Sequence, residues 1–254
     1  MMDAHARGRP ISGKDTPMAW HEELLVGFDL ETTGTDPRQA RVVTAAVTEV
    51  KAGEPVRRRE WLADPGVPIP AEAVAIHGVS TERAVADGRP APEVVAEIAD
   101  ALRGYWAKGV PVVVYNAPFD LTLLDEELAR YALPRLTAPG APAGPVIDPL
   151  VIDRALDRYR RGKRTLEAAC GVYGVVLDGA HEAGADALAA VRVARALAVR
   201  FPEAGGADLW ELQERQRTWY AVWAEDFQAW LRRKGRPDAV VDTAWPLREA
   251  GVVH

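Results

Sequence analysis

The segment Phe28-Asp29-Leu30-Glu31-Thr32-Thr33-Gly34 follows an apolar run that begins at Leu24. An apolar run that ends in two carboxylates and a Thr-Thr-Gly turn is typical of a strand that leads into a polar site. Side chains alternate between the two faces of a strand, so Asp29 and Glu31 lie on the same face. The segment therefore predicts a strand of an α/β sheet with a ligand site at its carboxyl end.

Two other segments carry carboxylates in comparable positions. Asp120 ends the segment Tyr115-Asn116-Ala117-Pro118-Phe119-Asp120 and is predicted to lie in the first turn of a helix after an apolar strand. Asp186 opens the last periodic helix, and His181 precedes it by five residues on a loop. Four carboxylates that converge without partners would repel one another, whereas two Mg²⁺ or Mn²⁺ ions accept such oxygen ligands. The segments together predict a two-metal site that cleaves phosphodiester bonds, with His181 as the base for the attacking water.

Hydrophobic periodicity and turn residues predict the order of the elements. Three strands joined by tight turns come first, at 24–29, 41–50 and 56–62. Helices and strands then alternate, with helices at 70–76, 92–102, 118–131, 149–156, 165–171 and 185–200, and strands at 111–115 and 146–147. This order predicts an α/β fold in which a mixed sheet is flanked by helices.

Three parts are predicted along the chain. Residues 1–20 are polar, contain no signal-peptide core and are expected to be a disordered leader. Residues 21–202 form the catalytic domain, and 203–254 form a Trp-rich helical C-terminal extension, which holds five of the eight tryptophans. One helical stripe of the extension needs apolar cover; it consists of Leu212, Trp219, Trp223, Phe227 and Trp230. We expect this stripe to dock on the catalytic domain, and the alternative is a surface for a partner protein.

Composition and net charge exclude several classes of protein. The 254 residues carry a formal net charge of −6, and the single cysteine, Cys170, excludes an intrachain disulfide. No run approaches the roughly 18 apolar residues needed to cross a bilayer, so a cytoplasmic protein without membrane association is expected. An acidic chain argues against extensive binding of duplex DNA, but not against an enzyme that holds a few nucleotides. The basic stretch 154–164 is predicted either to be solvated or to contact the phosphates of an incoming strand.

The three carboxylate segments resemble the motifs of the DEDDh (DnaQ-like) 3′–5′ exonucleases, over about residues 24–200. The resemblance implies a ribonuclease H-like fold, in which three antiparallel strands precede parallel ones. It implies that Asp29, Glu31, Asp120 and Asp186 bind two divalent metal ions and that His181 is the general base. Tyr115 is a departure, because many members carry histidine there.

Further residues are predicted to contact the terminal nucleotide. The segment 76–80 resembles a loop that touches this nucleotide in the family, and Glu72 matches an acidic residue near the same site. The full set of predicted substrate contacts is Thr32, Thr33, Glu72, His77, Asn116 and Phe119. Asp148 resembles a supporting acidic position at the end of a strand.

Within the family, the resemblance is strongest to the proofreading (epsilon) subunits of bacterial DNA polymerase III. The predicted activity is metal-dependent 3′–5′ cleavage of single-stranded or frayed DNA, which releases nucleoside 5′-monophosphates in proofreading or repair beside a DNA polymerase. An RNA or short-oligonucleotide exonuclease is the nearest alternative, because ribonuclease T and oligoribonuclease share the same five residues. An alternative of another class is a polymerase-associated interaction module built on the Trp-rich C-terminal segment.

Overall fold

A computed structural model describes residues 19–137 and 142–248. The strands are β1 (Leu24–Thr32), β2 (Val42–Lys51), β3 (Glu54–Asp64), β4 (Arg89–Pro90), β5 (Val112–Val113) and β6 (Val146–Ile147). The α-helices are α1 (Ala71–His77), α2 (Thr81–Asp87), α3 (Ala91–Trp106), α4 (Ala117–Arg130), α5 (Pro149–Leu156), α6 (Leu166–Tyr173), α7 (Ala183–Arg200), α8 (Pro202–Gly205) and α9 (Leu209–Arg233). None of the helices in these two ranges combines the length and the apolar character that crossing a bilayer requires.

The strands form one six-stranded sheet in the order β4-β3-β2-β1-β5-β6. β1, β2 and β3 are antiparallel, whereas β5 and β6 run parallel to β1. This arrangement confirms the predicted mixed sheet. The prediction missed α2 and β4, and β4 pairs with β3 through Arg89 and Pro90 only. A strand of two residues is too short to show an alternating pattern.

Hydrophobic cores lie on both faces of the sheet. On one face, Val26, Phe28 and Leu30 of β1 pack with α3 and α4. On the other face, Leu25 of β1 packs with α6 and α7. Because side chains alternate along a strand, Asp29 and Glu31 point to the face that α7 covers.

The predicted domain boundaries do not coincide with breaks in packing. Of the predicted leader, residues 1–18 lie outside the described ranges, but Trp20 is 6% exposed and belongs to a core. Its indole N–H donates to the carbonyl of Ala204, 3.0 Å away, on α8. Ala204 is fully buried, so the boundary predicted between residues 202 and 203 passes through packed structure. Trp20 is therefore part of the packed structure, and α8 and α9 share the cores that lie on the sheet.

Helix α9 covers the edge strand β6 with two buried glutamines. Gln213 accepts the N–H of Val146 at 2.8 Å, and Gln216 accepts the N–H of Asp148 at 2.7 Å. The Gln216 amide also donates to the carbonyl of Val146 at 3.0 Å. An uncovered edge strand exposes unpaired backbone groups, and these side chains satisfy them.

The predicted stripe of α9 is covered over only part of its length. Leu212 is fully buried, Trp219 and Trp223 are half-buried, but Phe227 and Trp230 are 37% and 45% exposed. The docking expectation is confirmed for the first half of α9 and is wrong for Phe227 and Trp230. The buried face of α9 is rotated from the predicted stripe and consists of Leu212, Gln213, Gln216, Tyr220 and Ala224.

A chain that ends at Arg200 is expected to have a lower melting temperature and lower solubility than the full chain. Deletion removes Leu212, Tyr220 and Ala224 from the cores and exposes the apolar residues that pack against them. Each large apolar side chain that is no longer buried costs about 1.5–3 kcal/mol. Differential scanning calorimetry measures the loss, and a chain that ends at Arg248 is the control. Equal melting temperatures for the two chains would show that α9 is dispensable for folding.

Candidate active site

The site begins at the carboxyl end of β1. Helix α7 approaches this strand very closely, because a Cβ added at Gly27 would lie 2.3 Å from the carbonyl oxygen of Ala187. Ala46, Ala183 and Ala187 form a cluster of small side chains at the same contact. The close approach places Asp186, in the first turn of α7, near the carboxylates of β1. Sequence reasoning overlooked this role of Gly27, although a glycine inside a strand is a signal for a close backbone approach.

Replacing Gly27 with alanine is expected to lower both stability and turnover. The added methyl group collides with backbone rather than with a flexible side chain, so α7 must move and carry Asp186 with it. Overpacking of this kind costs about 1–3 kcal/mol, which thermal unfolding would measure. Gly34→Ala is the control for stability, because a Cβ there meets nothing within 4 Å. An unchanged melting temperature in Gly27→Ala would contradict the close contact.

Asp120 is held against β1 by a backbone hydrogen bond. It lies in the first turn of α4, is 4% exposed, and its Oδ1 accepts the N–H of Leu30 at 3.1 Å. The turn before α4 is shaped by Asn116, which has a left-handed backbone with φ 68°. Asp148 accepts the N–H groups of Asn116 and Ala117 at 3.0 and 2.9 Å. Asp148 thus stabilises the turn that presents Asp120, consistent with its predicted supporting position.

The carboxylates repel one another in the absence of a cation. Burial raises the pKa of Asp29 well above its ordinary value, and the charges of Asp120, Asp186 and Glu31 raise it further. Burial and the charge of Asp186 raise the pKa of Glu31 to about 7. Burial also raises the pKa of Asp120, although its backbone hydrogen bonds oppose the shift. A concentration of desolvated carboxylates of this kind favours binding of a cation.

The donor set fits a divalent metal ion. Ligand atoms of Glu31, His181 and Asp186 all lie within 4.8 Å of one another. Within the described ranges, Asp186 Oδ1 is buried and has no hydrogen-bond partner. A buried carboxylate oxygen without a donor is costly unless a cation satisfies it. Asp29 and Asp120 stand outside this tightest group, but the charge of Glu31 raises the pKa of both, and the charge of Asp186 also raises that of Asp29.

His181 lies on the loop before α7 and is exposed. Its backbone is left-handed, with φ 67°, and its N–H donates to Asp186 Oδ2 at 3.3 Å. This contact joins the loop to the first turn of α7 and brings the imidazole beside Glu31 and Asp186. The predicted closeness of His181 to the carboxylates is therefore present in the structure.

His77 and His181 line a cleft of about 480 Å³ next to the carboxylates. His77 ends α1, and its Nδ1 accepts the N–H of Val79 at 3.2 Å. Burial lowers the pKa of His77, and the adjacent backbone of Thr32 opposes this shift. Arg83 and Trp61 also line the cleft, and no motif in the sequence pointed to either residue.

The other predicted substrate contacts occupy different positions. Thr33 is used by the turn, because its N–H donates to the carbonyl of Arg41 and its hydroxyl accepts the N–H of Arg41. Phe119 is half-buried against the α3–α4 core. Glu72 is exposed in the first turn of α1 and, within the described part of the chain, is not among the residues that line the cleft. His77 and the backbone of Thr32 therefore lie together at the site, whereas Glu72 lies outside the cleft. The N–H of Thr33 is already hydrogen-bonded within the turn.

Without metal, the protein is expected to lose stability as the pH rises from 4.5 to about 7. A carboxyl group whose folded pKa is raised stabilises the fold below its unfolded pKa, and this stabilisation is lost as the pH rises through the folded pKa. For Glu31 the window runs from 4.5 to about 7. Melting temperatures in a chelator should therefore fall over this range, and less steeply in Glu31→Gln. Saturating Mg²⁺ or Mn²⁺ should restore stability at the upper pH, by about 2.7 kcal/mol at a hundredfold excess over Kd. A metal-free melting temperature that rises with pH would contradict the mutual repulsion.

Comparison with known proteins finds several similar chains. Residues 26–194 match the model of the RNase_T family, described as an exonuclease. DNA polymerase III of the PolC type from Streptococcus pyogenes serotype M2 is 30% identical over 185 residues, and the enzyme from Streptococcus agalactiae serotype III is 29% identical over 185 residues. Each match covers 72% of this chain and 12% of the polymerase, so the chain spans a small part of these relatives.

Solved structures of exonuclease I share the architecture. The structure of exonuclease I that addresses its processivity has a TM-score of 0.60 at 21% identity, and covers 71% of this chain and 42% of that one. Exonuclease I from Methylocaldum szegediense has a TM-score of 0.57 at 25% identity, with 71% and 41% covered. These likenesses confirm the ribonuclease H-like fold that the motifs implied.

Proposed function

Because this chain belongs to the exonuclease family of DnaQ-like 3′–5′ exonucleases, we propose that it removes nucleotides from the 3′ end of single-stranded or frayed DNA. The products are nucleoside 5′-monophosphates. The observation that carries this proposal is the convergence of Glu31, His181 and Asp186 within 4.8 Å, next to the desolvated Asp29 and Asp120. Such a set suits phosphodiester hydrolysis, because it holds cations and a base around one phosphate.

We assign the metal ligands to Asp29, Glu31, Asp120 and Asp186, which would hold two divalent ions, Mg²⁺ or Mn²⁺. When bound, such ions polarise the scissile phosphate and make water a better nucleophile. The chain contributes the geometry: β1 presents two of the carboxylates, and the first turns of α4 and α7 present the other two. The close backbone contact between Gly27 and Ala187 fixes the position of α7 against β1.

His181 is assigned as the general base that takes a proton from the attacking water. Its position on an exposed loop beside Asp186 gives the imidazole access both to solvent and to the carboxylates. A neutral imidazole accepts a proton near physiological pH. The proton leaves to bulk water from the exposed ring, so the residue is ready for the next cycle.

The cleft beside the carboxylates is assigned to the terminal nucleotide. Its volume of about 480 Å³ lies between His77 and His181, and its wall includes Arg83, Glu60 and Glu182. Arg83 offers a cation for a phosphate. The ring of Trp61 is 7% exposed and lies under the guanidinium of Arg59, so it belongs to the core of the wall. The cleft lies next to the carboxylates, so an unpaired 3′ end reaches them more readily than an intact duplex end does.

DNA is proposed over RNA because solved exonuclease I chains of the same fold include Escherichia coli complexes with dT13 and dA16 oligonucleotides. A role beside a DNA polymerase draws support from the PolC-type relatives, whose chains contain a matching segment. The alternative, an RNA or short-oligonucleotide exonuclease, uses the same five residues and stays a second candidate.

Digestion of end-labelled strands tests the proposal. Matched single-stranded DNA, single-stranded RNA and a duplex with a mispaired 3′ end are offered with Mg²⁺, with Mn²⁺ and with a chelator. Stepwise shortening of a 5′-labelled DNA strand, faster at the mispaired end than at a paired one, is the expected result. Faster shortening of RNA would favour the second candidate. The absence of shortening with either metal would refute an exonuclease.

A further inference from the structure

The C-terminal half of α9 carries a row of stacked aromatic rings, Trp223, Phe227 and Trp230, which we call the aromatic ladder. The ring centroids of Trp223 and Phe227 are 5.3 Å apart with an interplanar angle of 12°. Those of Phe227 and Trp230 are 5.7 Å apart at 13°. Phe227 and Trp230 are 37% and 45% exposed. Stacking covers both faces of Phe227, so the ladder presents ring edges and the outer face of Trp230 to solvent.

Positive charge lies directly beside the ladder. The guanidinium carbon of Arg154, on α5, is 3.7 Å from the centroid of the Trp223 ring. Arg158 and Arg164 join Arg154 and Trp223 in lining a groove of about 310 Å³ between α5 and α9. The side chain of Arg158 is 67% exposed and lies 3.8 Å from Asp226 of α9. An exposed ion pair of this kind is weak, so a phosphate can replace the carboxylate.

The basic stretch after α5 contains two kinds of residue. Arg160 and Arg164 are structural, because both bond the fully buried carboxylate of Asp153. Arg158, Arg161 and Lys163 are exposed, and we call these three residues the basic loop. In a chain with a net charge of −6, this loop is a local concentration of positive charge. Tyr159, within the loop, is 91% exposed and adds a further aromatic ring.

Hydrogen bonds connect the loop and the groove to the turn that presents Asp120. The Tyr115 hydroxyl, at the end of β5, donates to the carbonyl of Arg164 at 2.8 Å. Helix α5 begins at Asp148, whose carboxylate accepts the N–H groups of Asn116 and Ala117. The turn that presents Asp120 is thus bonded to the first residue of α5 and to the end of the basic loop. This surface therefore lies on the β5–β6 side of the carboxylates, and the cleft, which β2 and β3 line, lies on the other side.

We propose that the aromatic ladder and the basic loop bind the part of a single strand upstream of the nucleotide being cleaved. A base stacks on the outer face of the Trp230 ring, which Phe227 supports, and phosphates contact Arg158, Arg161 and Lys163. This inference rests on the proposed function, because it takes the substrate to be a single strand. The combination of flat apolar rings with flanking cations fits a polyanion that carries exposed bases. It fits an acidic or apolar protein partner less well, because an acidic partner leaves the rings unused and an apolar one leaves the cations unpaired.

Binding of labelled strands with a chelator present separates this surface from catalysis. The full chain is titrated into single-stranded DNA of about 16 and about 4 nucleotides, lengths that bracket typical single-strand sites. Fluorescence anisotropy gives each Kd. The double variant Phe227→Ala/Trp230→Ala should bind the longer strand roughly 5- to 150-fold more weakly, the range for one lost base stack. Replacing Arg158, Arg161 and Lys163 by alanine should reduce the slope of log K against log salt by about 2.

Trp210→Ala is the matched control, because Trp210 lies on the same helix, is 46% exposed and stands outside the ladder. It should bind like the wild type, and Phe227→Trp should retain the affinity that Phe227→Ala loses. Equal Kd values for the ladder variant and the wild type would overturn the inference, even if the surface were then found to bind a protein. A different outcome is that the wild type with metal does not shorten strands but still binds them through the ladder. That outcome would refute the proposed function and leave this surface as a strand-binding site.

Discussion

Replacing Asp29 with alanine is expected to reduce strand shortening by roughly 10³-fold or more, because bound cations contribute several kcal/mol of transition-state stabilisation. Asp29 lies among Asp120, Asp186 and Glu31, whose charges all raise its pKa. Its removal therefore withdraws a ligand from the centre of the group. Rates of release from a 5′-labelled strand, with saturating Mg²⁺ or Mn²⁺, measure the effect.

The same variant is expected to fold. In the metal-free protein a charged Asp29 is repelled by its neighbours, so its removal should leave the melting temperature equal or higher at neutral pH. The stabilisation by Mg²⁺ seen in the wild type should shrink in the variant. Asp87→Ala, at an exposed position on α2, is the control for loss of a carboxylate elsewhere. An unfolded Asp29→Ala protein, or one with full activity, would contradict the assignment of Asp29 as a ligand.

Replacing His181 with asparagine is expected to lower turnover by roughly 10²- to 10⁴-fold, the usual contribution of a general base. Asparagine is chosen because His181 has a left-handed backbone that asparagine tolerates better than most residues. The loss should appear in kcat, and the acid limb of the pH–rate profile should flatten relative to the wild type. Glu203→Gln, at an exposed position on α8, is the control and should retain turnover.

A thermal shift with Mg²⁺ distinguishes a base from a metal ligand at His181. The imidazole lies within 4.8 Å of ligand atoms on Glu31 and Asp186, a distance that would also suit coordination. If His181 is the base, His181→Asn should keep the rise in melting temperature that Mg²⁺ produces. Loss of that rise together with activity would assign His181 to the metal, and near wild-type turnover would make it an ordinary loop residue.

Much of the fold, and the elements that carry the proposed site residues, could be predicted from local patterns. Each carboxylate of the site follows an apolar strand or opens a periodic helix. The residues next to it in the sequence therefore predicted the element that carries it and the end of the sheet at which it lies. The helix predicted at 165–171 is present as α6, and the hydroxyl of Thr165 caps it by accepting the N–H of Ala168. Local patterns of this kind specify secondary structure and which face of an element is polar.

Contacts between distant parts of the chain decided the rest. The approach of Gly27 to Ala187, the turn held by Asp148, and the glutamines of α9 that pair with β6 all join residues far apart in sequence. The same holds for α9, whose periodicity predicted a stripe but not the rotation that leaves Phe227 and Trp230 exposed. By itself, the sequence determined the order of strands and helices and the chemical groups available at the ends of the strands. The tertiary structure decided which of those groups meet and which apolar faces stay uncovered, because the partner of a surface is set by long-range packing that local periodicity does not encode.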